Sequence, residues 1–218
     1  MRKPLKLLLL FISLQFLKAD EFNEFGLYSD KSKKPDETSA VITKLPLKIK
    51  KGARIAYVGN TLLDRSQHFG HFESFLQRHL PTHNLVIRNF SWSADEVDIQ
   101  PRPDNFASTD QHLLNHKTDI IFAAFGFNES FAGKEKIPDF KLRLKKYIQH
   151  TKTRSYNGKK GPKIILISPT PNQNLEKTPA ADLNNERLLL YTSAMREVAK
   201  SEQIGFVDVF STVYPNES

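Results

Sequence analysis

The chain is 218 residues long, 39% hydrophobic and 26% charged, a balance that suits one domain with its own core and excludes wholesale disorder. It has no cysteine, which excludes a disulfide framework and any thiolate metal site. The formal charge is +8, but Arg2, Lys3, Lys6 and Lys18 supply four of those charges with no acid in residues 1–19; subtracting them leaves +4 on residues 20–218, which removes the main support for nucleic-acid binding.

Residues 1–19, MRKPLKLLLLFISLQFLKA, combine a basic start, an apolar run over residues 7–17 and Ala19 at the expected cut. The pattern predicts a cleaved export signal rather than an uncleaved anchor, since a span needs about 20 apolar residues. The mature protein is then expected in the periplasm or outside the cell, with no stable membrane span. Residues 20–53 are polar and mixed in charge, and read as a surface lead-in or linker with a short extended piece at AVITKLPLKI, residues 40–49.

From Arg54 a rhythm begins. RIAYVG is a short apolar strand ending in glycine, and LLDRSQHFGHFESFLQRHL reads as one helix with Phe69, Phe72, Leu76 and Leu80 on a face. NLVIRNF is a second strand, STDQHLLNHKT a helix, and DIIFAAFG a third strand apolar enough to be buried on both faces. PDFKLRLKKYIQHTKT is a helix with Pro138 in its first turn and a stripe of Phe140, Leu144, Tyr147, Ile148 and Thr151. KIILISP is the fourth strand. NNERLLLYTSAMREVAKSEQ is the last helix, with Leu188, Tyr191, Met195, Val198 and Ala199 inward, and IGFVDVF is the fifth strand. Alternation of this kind implies an α/β fold with a five-stranded parallel sheet covered on both faces. Ligands bind such sheets outside the C-terminal strand ends, so chemistry is sought just after each strand.

Three of those places stand out. Thr61, in the corner Gly59-Asn60-Thr61, is a hydroxyl at the start of a helix, where a nucleophile can be exposed; taken alone, the corner reads better as a helix cap. Asn128, in FGFNES, carries an amide that can donate to a developing oxyanion or simply organise its own loop. Ala94, in SWSAD, leaves its backbone N–H approachable, although small residues also fill ordinary loops.

Together, and in this order, the three resemble the blocks of the SGNH (GDSL-like) hydrolase family, over roughly residues 54–210. Gly59-Asn60-Thr61-Leu62 aligns with G-D-S-L, Ser93-Ala94-Asp95 with the glycine turn of the second block, and Gly126-Phe127-Asn128-Glu129 with G-x-N-D. The chain is most similar to exported members from planctomycete-type bacteria. The resemblance implies a flavodoxin-like three-layer α/β/α sandwich over residues 54–218. It also implies ester hydrolysis through an acyl-enzyme, with Thr61 as nucleophile and oxyanion donors from the Thr61 and Ala94 backbones and the Asn128 side chain. The first two blocks depart from the family: threonine replaces serine, and its methyl restricts χ1; asparagine replaces aspartate at position 60; alanine replaces glycine at position 94.

The family's base comes from a D-x-x-H block, and none of His68, His71, His79, His83, His112, His116 or His150 has an aspartate three residues before it. Either the block lies beyond Ser218, with the domain truncated, or the protein lacks the base and is an inactive ligand- or glycan-binding module. His112 and His116, one helical turn apart, read as solvated helix face rather than as a metal site, and KLRLKKYIQHTKTRSYNGKK reads as a solvated helix face and loop rather than a contact for anionic polymers. No metal or cofactor is expected. The expected partner is a small-molecule or carbohydrate ester.

Overall fold

The computed structural model describes residues 33–104, 106–173 and 181–213; the expected export signal lies outside them. The strands are β1 Asp36–Glu37, β2 Arg54–Gly59, β3 Val86–Asn89, β4 Ile120–Ala124, β5 Arg154–Ser155, β6 Lys163–Ile167 and β7 Gly205–Val207. The helices are α1 Thr61–Ser66, α2 His71–His79, α3 Thr109–Asn115, α4 Ile137–Lys152, α5 Ala181–Glu202 and α6 Val209–Val213.

Five strands form one parallel sheet in the order β3-β2-β4-β6-β7. Period-two alternation divides their side chains between two cores. Ala56, Val58, Ile121, Ala123, Ile164 and Leu166 face one side, against α3, α4 and α5. Ile55, Tyr57, Ile120, Phe122 and Ile165 face the other, against Leu63 of α1, Leu76 of α2 and Val209 of α6. This is the three-layer α/β/α sandwich expected from the sequence. Among the described residues no helix is long and apolar enough to cross a membrane.

The chain starts in the middle of the sheet at β2, moves out to β3, then crosses back to β4. That reversal opens a crevice between the C-terminal ends of β2 and β4, the place where open α/β sheets hold ligands. Gly59 makes the close approach possible: its φ is 123°, and a Cβ there would lie 2.0 Å from the Ala124 carbonyl oxygen. Gly59→Ala should cost more than about 3 kcal/mol, read as a lower urea midpoint with an unchanged slope.

Three expectations of the fold differ from the structure. The fifth strand, expected over residues 204–210, stops at Val207, and Val209 and Phe210 open α6 instead. The helix expected over residues 62–80 is broken: α1 ends at Ser66, and Gly70, at φ 60°, turns the chain before α2. Phe72 still meets Tyr57 and Phe122 at 5.9 and 5.4 Å, whereas Phe69, beside the turn, is 68% exposed. The lead-in, where described, is not a free linker, and no strand forms at residues 40–49. It docks instead: β1 pairs antiparallel with β5, Thr43 Oγ1 accepts from Ile164 N at 3.0 Å, and Leu47 and Ile49 pack on the second core. Leucine and isoleucine here find apolar surface left open beside the sheet, and burying it outweighs the polar composition around them.

Candidate active site

The corner after β2 is built by capping. Asn60, 2% exposed, is the N-cap of α1; its Oδ1 accepts from Leu62 N at 3.3 Å, and its own N donates to Ala124 O at 3.0 Å. Asn60 therefore does the capping expected of this corner, and Thr61 is released to stand half-buried as the first residue of the helix. The opening N–H groups of a helix lack intrahelical partners. Asn60 claims that of Leu62, and that of Thr61 is unclaimed among the described residues.

The loop after β3 comes to this corner. Trp92 N donates to Gly59 O at 2.9 Å, which prolongs the β2–β3 ladder beyond both strands. Ser93 Oγ donates to the carboxylate of Asp64 in α1. Ala94 N donates to Thr61 Oγ1 at 3.4 Å. Ala94 has φ 68°, a left-handed conformation in which alanine is uncommon and glycine is at ease. The bonds on either side hold it there, and strain kept in place this way is concentrated at functional sites.

The turn after β4 reaches the same loop. Asn128 Nδ2 donates to Asp95 O at 3.0 Å, which leaves its second amide hydrogen free. The structure thus links Thr61, Ala94 and Asn128 through the loop after β3, Ala94 exposed and the other two half-buried. None of the three is sealed inside.

Two carboxylates without a role in the sequence reading hold these loops in shape. Asp95, buried, is gripped by both terminal nitrogens of Arg102 at 2.8 and 2.5 Å, and Arg102 lies 4.5 Å over the Trp92 ring. Glu129, 3% exposed, accepts from Val97 N at 3.0 Å and Gly126 N at 2.7 Å. It staples the loop after β3 to the turn carrying Asn128. A carboxylate directly after the amide, past a wholly apolar strand, was the available signal; its partner across the site was not, because Val97 lies 32 positions away.

Burial pushes the Glu129 carboxyl up to about 7 against the opposing pull of its backbone N–H partners, with Glu96 adding a little. The folded state therefore holds this proton more tightly than the unfolded chain, whose ordinary value is 4.5. The stabilisation is fully present below pH 4.5 and is lost as pH rises through about 7, amounting to ~3 kcal/mol. Urea unfolding across that range should show the loss in the native chain, and Glu129→Gln, which cannot titrate, should flatten it.

The histidines stand elsewhere. No histidine nitrogen bonds to Thr61 Oγ1 among the described residues. His116 is 5% exposed with Nε2 3.1 Å from Ile55 O, and Phe90 lies against both it and His112, at 5.7 and 5.3 Å. The pair is therefore turned toward the sheet and is not a solvated face as expected. Helix period alone cannot say which face looks inward when aromatic rings make histidine a good packing partner. His150 pairs with Asp110 at 2.7 Å and His79 Nδ1 lies 2.9 Å from Phe75 O. No group of three His, Cys, Asp or Glu suited to a metal occurs among the described residues.

Beside the corner, a cavity of about 360 Å³ opens past β3, lined by Phe90, Ser91, Trp92, Gln100, Arg102 and Phe106 among others.

Residues 55–218 match the family model of the GDSL-like lipases/acylhydrolases. The chain belongs to that family. Among solved structures, this GDSL-like protein is similar to Axe2, an acetylxylan esterase from Geobacillus stearothermophilus, with a TM-score of 0.54 at 19% identity, over 77% of this chain and 80% of that one. A catalytic mutant of the same esterase gives 0.56 at 17% identity over the same shares. BT4096, a gut microbial diltiazem-metabolizing enzyme, gives 0.56 at 18% identity over 76% of this chain and 38% of that one. At such identities the likeness is one of fold. No curated protein matches the GDSL-like chain in sequence.

Proposed function

We propose that this GDSL-like protein hydrolyses esters, with an acyl group on a carbohydrate as the substrate class. In this reading Thr61 Oγ attacks the ester carbonyl and the Thr61 proton passes to a base. The tetrahedral oxyanion takes hydrogen bonds from the Thr61 N–H, the Ala94 N–H and the free amide hydrogen of Asn128. The carbon–oxygen bond then breaks, the alcohol leaves with a proton, and water releases the acid from the acyl-threonine. The reading includes export, as expected from residues 1–19.

One observation carries it: the Ala94 N–H is aimed at Thr61 Oγ1 from a loop that Asn128 also grips. In the resting protein that N–H donates to the hydroxyl; once the hydroxyl becomes an ester, the donor is positioned for the oxyanion. The neighbouring cavity is within the range of about 300–1,000 Å³ usual for small-ligand sites. Its mixture of aromatic and polar walls suits a sugar ring, and the fold-level likeness to an acetylxylan esterase supports the same class.

The test is acetate release by the protein encoded by the whole open reading frame. p-Nitrophenyl acetate reports the chemistry, and acetylated xylo-oligosaccharides report the substrate class. Release from both supports the reading. Release from the aryl ester alone removes the carbohydrate.

A second reading, an inactive glycan-binding module, is favoured by the departures from the family's first block, threonine for serine at position 61 and asparagine for aspartate at position 60. It predicts no release from either ester but retained binding of the sugar, lost on Asn128→Ala.

A further inference from the structure

The strand-starting end of the sheet, opposite the corner at Thr61, carries a different chemistry. Two basic segments far apart in sequence meet there, the lead-in with Lys48, Lys50 and Lys51, and the approach to β6 with Lys159, Lys160 and Lys163. The join is direct: Lys163 Nζ donates to the Lys48 carbonyl at 2.8 Å, across 115 positions of sequence. Together they line a cleft of about 310 Å³.

Its positive charge is in large excess, six lysines against one acid. One acid, Asp119, lines the cleft, and both its oxygens are spoken for, Oδ2 by Arg54 N at 2.9 Å and Oδ1 by Asn157 Nδ2 at 2.8 Å. None of the six lysines has a carboxylate within 4.0 Å among the described residues, whereas Lys141, Lys145 and Lys152 elsewhere all do. Burial, then the charges of Lys160, Lys50 and Lys48, pulls the Lys163 ammonium below its ordinary value. Charges of one sign focused in a concave site attract a polyanion and gain most from its neutralisation.

We propose that this cleft binds an acidic polysaccharide, whose sulfate or carboxylate groups pair with the lysine ammonium groups; this reverses the sequence reading of the stretch over residues 141–160 for its last two lysines, Lys159 and Lys160, because Lys48, Lys50 and Lys51 join them in space. Ammonium groups drawn from two segments match charges repeated along a chain better than a single phosphate. No aromatic ring lines the cleft, so the stacking platform on which single-stranded nucleic acid is usually held is missing. A flat bilayer surface meets the rims of a concavity and not its floor. The site lies away from Thr61 and does not depend on the ester reading; it would hold the protein on a charged glycan while leaving turnover of small esters unchanged.

The test uses fluorescein-labelled dextran sulfate and polygalacturonate, with neutral dextran and a short duplex DNA as comparisons, followed by anisotropy at low and high salt. The protein should bind both acidic glycans, more weakly as salt rises, and should not bind neutral dextran. Lys50→Gln/Lys51→Gln/Lys159→Gln/Lys160→Gln should weaken binding about tenfold or more, because the cations that face the polymer are gone. Lys117→Gln/Lys134→Gln/Lys136→Gln/Lys200→Gln, which changes the net charge equally at exposed positions elsewhere, should change it less than about twofold. Should the first variant fail to fold, the exposed pair Lys159→Gln/Lys160→Gln is read in its place, with an expected loss of about threefold. Equal weakening by the two quadruple variants, equal binding of neutral dextran, or tighter binding of the DNA would overturn the proposal.

Discussion

Thr61→Ala should lower kcat for p-nitrophenyl acetate by about 10³-fold or more, with KM little changed, because the group removed forms the covalent bond and contributes little to ground-state binding. Thr61 is half-buried and its hydroxyl's partner among the described residues is one backbone N–H, so the truncation leaves no buried charge and the fold should survive. The informative companion is Thr61→Ser. A serine keeps the nucleophile and loses the methyl that narrows χ1. It should retain activity or gain several-fold, since near-attack geometry is sensitive to small crowding at the reacting atom. Full activity in Thr61→Ala, by stopped assay with purified protein, would remove threonine from the mechanism.

Asn128→Ala should cost about 10²–10³ in kcat, the usual price of one oxyanion donor. The same substitution also cuts the bond to Asp95 O, so a stability loss of about 1 kcal/mol should accompany it. The two effects separate by experiment: urea unfolding reads the second, and kcat measured well below the unfolding midpoint reads the first. Asn128→Asp makes a sharper case. A carboxylate cannot donate to an oxyanion and repels it, so activity should fall at least as far although the side chain is nearly the same size. A rise in KM alone, with kcat unchanged, would instead assign Asn128 to substrate binding.

Much of the fold was legible because its signals are local. The unbroken apolar run at Ile120–Ala124 could only be a strand covered on both sides, and the stripe of Phe140, Leu144 and Ile148 lies buried as its spacing requires. The broken helix was less legible. A glycine inside an apolar helical pattern can be tolerated or can terminate it, and Gly70 adopts φ 60° because the chain must turn between α1 and α2. In the site, Thr61, Ala94 and Asn128 were each visible as small or polar residues at strand ends. The contacts that hold them were not: Arg102 folds back on Asp95 within an irregular loop that has no period to read, and Glu129 reaches Val97 across 32 positions. The docking of the lead-in was hidden for the same reason, since Leu47 and Ile49 are apolar residues in a polar context until the surface they cover exists.

What the sequence determined by itself was the alternation of strands and helices, the buried side of the sheet strands and of α4 and α5, and which residues stand at the strand ends. Those depend on periods of two and 3.6 residues and on caps a few positions wide. Only the tertiary structure decided that β2 lies between β3 and β4, that three loops therefore meet through hydrogen bonds, and that two lysine segments share one cleft at the other end. Strand order is set by which buried faces pack together across the whole chain, and no local pattern contains that information.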